Sequence, residues 1–224
     1  MKKILLKLVV LSALFCVAFG VVSLAHEDTL LIAPNPNANI SISDLDPNDW
    51  SYESVVELIK KGVVNVDENS NIYPDAYLTK EECARLLVGS RNIDLNTDVV
   101  SEISDIAICL DDNKDYVNMA VVKGYMTLND NGNFNPKDTL TREEFLYYLI
   151  KSIGATSGVE VPLFNDVEKG VWYENELAFA KTVGIVKGYE DNTFRGQNTI
   201  TLKEAYAMTQ RFAKLVDMFE SNVQ

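Results

Sequence analysis

Three hexapeptides carry the residues with the most chemistry to offer: "LTKEEC" at 78–83, "LTREEF" at 140–145 and "ITLKEA" at 200–205. In each, a threonine stands three residues before a glutamate, the spacing at which a hydroxyl and a carboxylate satisfy each other's backbone N–H groups across a helix start. This assigns Thr79 with Glu82, Thr141 with Glu144, and Thr201 with Glu204 to helix capping. The residue after the threonine takes the first helical position and is read as facing outward near the loop. Lys80 and Arg142 there present an ammonium and a guanidinium that can pair with a carboxylate, and the positive end of the helix dipole reinforces the attraction. The third copy has Leu202 instead, with Lys203 one residue later and about 100° around the helix.

Other chemistries have less to work with. The chain holds one histidine, His26, so neither a Ser-His or Cys-His pair near the repeats nor a His-rich metal cluster is expected. Adjacent carboxylates such as Glu81 and Glu82 point about 100° apart on a helix and read as solvated charge. The acidic turns "DENSN" (67–71) and "NDNGN" (129–133) echo calcium loops, but Leu78 and Leu140 stand where an EF-hand needs its closing glutamate. The expectation is a protein that is no enzyme and needs no metal or cofactor.

The hexapeptides belong to a longer repeat. Asp44, Asp105 and Asp166 recur at intervals of 61 residues, in "ISDLDPNDW", "ISDIAICLD" and "FNDVEKGVW". After each comes an amphipathic run, 52–61, 116–123 and 173–183, that stops at Gly62, Gly124 or Gly184 as a helix does. A polar turn then returns Ile72, Phe134 or Phe194 to the core, with at most a tiny strand pair, and the hexapeptide opens a second helix. The units span 41–93, 102–155 and 163–217, behind a linker at 26–40 and with a connector, "TSGVEVP", at 156–162.

The first 25 residues read as a secretory signal peptide: Lys2, Lys3 and Lys7, an apolar run from Leu8 to Val22, and small residues ending at Ala25. The alternatives are a membrane anchor, for which the run is slightly short, and a lipid-anchored Cys16, which Phe15 disfavours. Cleavage after Ala25 removes three lysines and no acid, taking the net charge from −13 to −16. So acidic a protein is repelled by nucleic acid and anionic membranes. Cys83 and Cys109 remain, either paired or as buried free thiols.

Three units of helix, glycine stop, turn and a helix start of the Thr-Arg-x-Glu type, with Leu202 replacing the cation in the third, resemble the S-layer homology domain, most closely in "DW…GVVN…IYPDAYLTKEE" and "W…GIVKGYEDNTFRGQNTIT". The resemblance implies a mostly α fold of three tandem helix-loop-helix repeats, pseudo-threefold and three-pronged around a central helical bundle, with grooves between neighbours. It implies attachment to the outer cell wall or S-layer surface through an anionic, pyruvylated secondary cell-wall polysaccharide, contacted by Lys80 and Arg142. Trp50 and Trp172 match the family's tryptophan, as covers for a sugar face or as lids on the core. Unit two has Asp112 at that place, and unit one has Asn65-Val66 where the family has Gly-Tyr, so three equivalent grooves are not expected. The alternative is a scaffold for other envelope proteins.

Overall fold

The computed structural model describes residues 40–91, 93–95, 101–155 and 163–221. The signal peptide at 1–25, His26, nearly all of the linker and the 156–162 connector lie outside them. Each unit contributes two helices: α1 (Tyr52–Lys60) and α2 (Lys80–Gly89), α3 (Asp111–Val122) and α4 (Arg142–Lys151), α5 (Glu174–Thr182) and α6 (Leu202–Ser221). The described residues are mostly helical and contain no strand, only isolated bridges.

Local sequence accounts for most helix ends. α1 ends in a Schellman-type turn, with Gly62 at φ +70° and Val63 N–H donating to Leu58 O at 2.9 Å, a conformation that favours glycine. Gly124 and Gly184 close α3 and α5 in the same way. α3 departs from expectation by starting five residues early, at Asp111 instead of Tyr116. Asp111 and Asp112 suit the positive first turn, and the Glu81 carboxylate holds the Leu110 N–H at 2.8 Å, fixing the entry.

The recurring aspartates shape the turns. Asp44 accepts from the N–H groups of Ile72 and Tyr73, Asp105 from Phe134 and Asn135, and Asp166 from Phe194 and Arg195, at 2.7–3.2 Å. Tyr73, Asn135 and Arg195 each hold positive φ, +52° to +58°, costly for a side-chain-bearing residue. Two charge-assisted bonds per turn offset that cost. Asp67 and Asn129 likewise accept from N–H groups within their own loops, as polar turns do.

The two helices of a unit find their main partners elsewhere. α3 packs on α2 of the preceding unit, α5 on α4, and α1 on α6, so the first unit closes on the last, while α2, α4 and α6 also touch pairwise. A cycle of backbone bonds runs through the hexapeptides: Leu140 N–H to Leu78 O (3.1 Å), Ile200 N–H to Leu140 O (3.0 Å) and Leu78 N–H to Ile200 O (3.0 Å). The bridges therefore join units, not the two arms of one turn as the polar segments had suggested. One hydrophobic core runs through all three units, with Phe134, Phe145, Phe194 and Phe212 fully buried in it.

Cys83 and Cys109 are both free and buried. Burial raises both thiols, Cys109 to about 11 and Cys83 further, so neither is a nucleophile near neutral pH.

Candidate functional site

Each hexapeptide helix starts against the turn of the next unit. Lys80 N–H donates to Asp138 O (2.9 Å), Arg142 N–H to Asn198 O (2.9 Å) and Leu202 N–H to Ala76 O (2.8 Å). Neighbouring carbonyls thus occupy donors that a free helix start would leave to solvent. The first helical position consequently faces the neighbour, not outward as its place in the sequence suggested. Arg142 is only 7% exposed, Leu202 4%, and Lys80 is half-buried.

The capping groups differ among units. Thr79 and Thr141 each accept from the backbone of Glu82 or Glu144, whose carboxylates accept in return from the threonine N–H at 2.8 Å. In unit three, Glu204 accepts from Thr201 N–H at 3.2 Å, but Thr201 Oγ1 is buried without a partner. The Glu204 carboxylate is also engaged across the helix start, accepting from the Tyr189 hydroxyl and facing Arg142 Nη1 at 3.7 Å.

Around Arg142 lies a cleft of about 720 Å³, within the range of small-ligand sites. Its walls come from all three units: Arg142 from α4, the 187–195 turn, one face of α6, and Trp50 from the approach to α1. The packing of α1 on α6 is what brings Trp50 there. Five cations, Arg142, Lys187, Arg195, Lys203 and Arg211, line it against three acids, Glu190, Asp191 and Glu204. A protein of net charge −13 has gathered an excess of positive charge at this place.

Arg142 lies over the rings of Tyr189 and Phe194, each at 5.3 Å, and its buried Nε has no hydrogen-bond partner. A buried guanidinium donor without an acceptor is costly. Arg195 lies over the Tyr189 ring at 3.9 Å and pairs with Asp191 at 3.0 Å. Gly188 lets Tyr189 reach this position, since a Cβ there would stand 2.2 Å from Phe164. Burial and the bond to Glu204 push the Tyr189 hydroxyl above its ordinary value, keeping it a neutral donor.

The tryptophans are not lids on the core: Trp50 is 59% exposed and Trp172 55%. Trp172 lies outside this cleft, edge-on to Tyr147 (5.0 Å) and Tyr173 (5.3 Å), with its indole N–H donating to the buried Glu143 at 3.2 Å. Lys80 is also elsewhere. Its ammonium donates to Phe134 O and sits 4.8 Å over the Phe134 ring, and burial pushes its pKa below the usual lysine value.

Of the residues singled out from sequence, the cleft therefore unites Arg142, Trp50, Lys203 and Glu204. Sequence reasoning missed Lys187, Tyr189, Arg195 and Arg211. Gly188-Tyr189 is unit three's copy of the Gly-Tyr pair that unit one lacks, a signal that marks the place but not a role, whereas Arg211 carries no local signal, being one cation on a helix face.

The S-layer homology domain model matches residues 41–84, 103–146 and 163–205. The surface layer protein of Brevibacillus choshinensis is 33% identical over 97 residues, 42% of this chain and 8% of that protein. The middle cell wall protein of Brevibacillus brevis is 31% identical over 97 residues, covering 42% and 9%. Exoglucanase XynX of Acetivibrio thermocellus is 26% identical over 199 residues, 80% of this chain and 17% of the enzyme. The chain thus spans only a small part of the length of the curated relatives it matches.

Proposed function

Because the chain belongs to the S-layer homology domain family, we propose that it is a non-catalytic module attached non-covalently to the cell wall, holding an anionic, pyruvylated secondary cell-wall polysaccharide in the cleft around Arg142. The observation that carries this reading is the buried Arg142 with its unpartnered Nε, in a net positive cleft of an acidic protein. A ketal carboxylate would meet the guanidinium, while the sugar ring has the exposed Trp50 indole to stack on. The surface-layer and cell-wall relatives support the location at the cell surface, and no described helix is long and apolar enough to cross a membrane.

The test is co-sedimentation of residues 26–224 with purified sacculi, before and after acid extraction of the secondary polysaccharide. Pelleting with intact walls alone is the expected result; pelleting with neither preparation rejects glycan attachment.

A second reading, a scaffold for other envelope proteins, draws on the tie of Lys80 to Phe134 and the burial of Leu202, which leave two of the three helix starts without a free cation. Wall retention unchanged in an Arg142→Ala, Lys80→Ala double variant would favour it.

A further inference from the structure

One lining residue of the cleft has no place in the repeat pattern so far. Arg211 stands ten residues after Thr201; the corresponding positions after Thr79 and Thr141 are Gly89 and Lys151. Gly89 lies against Val63 and Tyr116, and Lys151 lies over the Tyr147 ring at 5.1 Å. Only unit three sets a guanidinium here, and the cyclic packing puts it in the cleft that already holds Arg142.

Arg211 is incompletely partnered for its position. Its Nη1 donates to Ile185 O at 3.2 Å, and no carboxylate among the described residues pairs with it. Burial, and then the positive charge of Arg142, push it below the ordinary arginine value. Glu204 faces Arg142 but is shared with Tyr189 and the helix start. Two guanidiniums that line one partly desolvated cleft and disfavour each other's charge are stabilised when an anion binds there.

We infer that Arg211 is the second arm of a two-guanidinium clamp which, with Arg142, closes on one carboxylate of the ligand, making this cleft the single tight anion site of the chain. The inference rests on the glycan reading above and adds a residue and a stoichiometry to it. Planar guanidiniums offer a carboxylate paired N–H donors that an ammonium cannot match. The Lys80 helix start lacks both parts: an ammonium stands for Arg142 and Lys151 for Arg211.

The experiment is calorimetric titration of the full chain with purified pyruvylated wall polysaccharide and with the same polymer stripped of pyruvate by mild acid, using wild type, Arg142→Gln, Arg211→Gln and Arg211→Lys. The expected result is one tight site per chain for the pyruvylated polymer. Arg211→Gln should weaken it about 10- to 100-fold and Arg211→Lys by less, with binding of the stripped polymer the same in wild type and both Arg211 variants. Wild-type binding that Arg211→Gln leaves intact, or equal losses for both polymers, overturns the clamp and keeps the glycan reading. Two or more equally tight sites would overturn the stoichiometry. If wild type binds neither polymer, the glycan reading fails and the clamp with it. Because Arg211→Gln also removes the bond to Ile185, Arg211→Lys is the variant that decides should the glutamine lower Tm: wild-type affinity in it overturns the clamp.

Discussion

Lys80 and Arg142 occupy the same position of the same hexapeptide, yet their surroundings give them different work. The Lys80 ammonium donates to a carbonyl of the next unit and covers a phenylalanine ring, both contacts supplied by the protein itself. Arg142 faces the next unit too, but its guanidinium has five N–H donors in a rigid fork, and Glu204 and the two aromatic rings leave Nε unanswered. A cation that is satisfied internally acts as a joint between units, and one left partly unsatisfied beside a cleft is available to a ligand. The repeat preserves position, and the neighbouring turn decides the role.

The sharpest way to break this contrast is to remove each cation in turn. Arg142→Gln should lower affinity for pyruvylated wall polysaccharide about 100-fold, while Lys80→Gln changes it by less than about fivefold, as measured by titration. Equal losses would mean that the two helix starts are equivalent after all. The tryptophans extend the contrast. Trp50→Ala is expected to weaken binding about tenfold with little change in stability, because the indole is mostly exposed. Trp172→Ala should leave binding nearly intact and cost about 1–2 kcal/mol in urea unfolding, having lost its bond to Glu143 and its edge contacts to two tyrosines.

Stability measurements probe the other half. Lys80→Met keeps the stem but loses the bond to Phe134 O, and should destabilise the protein by about 1 kcal/mol without affecting wall binding. The smallest effect is expected at the seam between the last unit and the first. There Lys203 pairs with Asp75 at 2.6 Å, whereas at the equivalent seam between units one and two the acid is on the helix, Glu81, and the lysine on the turn, Lys137. Asp75→Lys should cost up to about 1 kcal/mol, and adding Lys203→Asp should recover most of it, since Asp75 is largely exposed. No recovery in that double-mutant cycle would show that the inverted pair does not help match the seam.

Much of this fold can be read from short spacings. The Thr-x-x-Glu pattern and the glycines at the ends of α1, α3 and α5 act within a few residues of themselves. Their geometry is therefore written locally. The early start of α3 escaped because its decisive contact, Leu110 with Glu81, spans 29 residues. The third capping pair illustrates the same limit: Thr201 and Glu204 have the right spacing, but Tyr189 and Arg142 engage Glu204 from outside the motif.

What the sequence determined by itself is the repeat, its helices and the place of a cation at two helix starts, because periodicity and capping depend on neighbours along the chain. Tertiary structure alone decided that each first helix packs on another unit's second helix, and that α1 closes on α6. That closure carries Trp50 across the molecule to Arg142, Arg195 and Arg211. Local spacing gives no sign of such a meeting, for it depends on which surfaces pair once three similar units share one core.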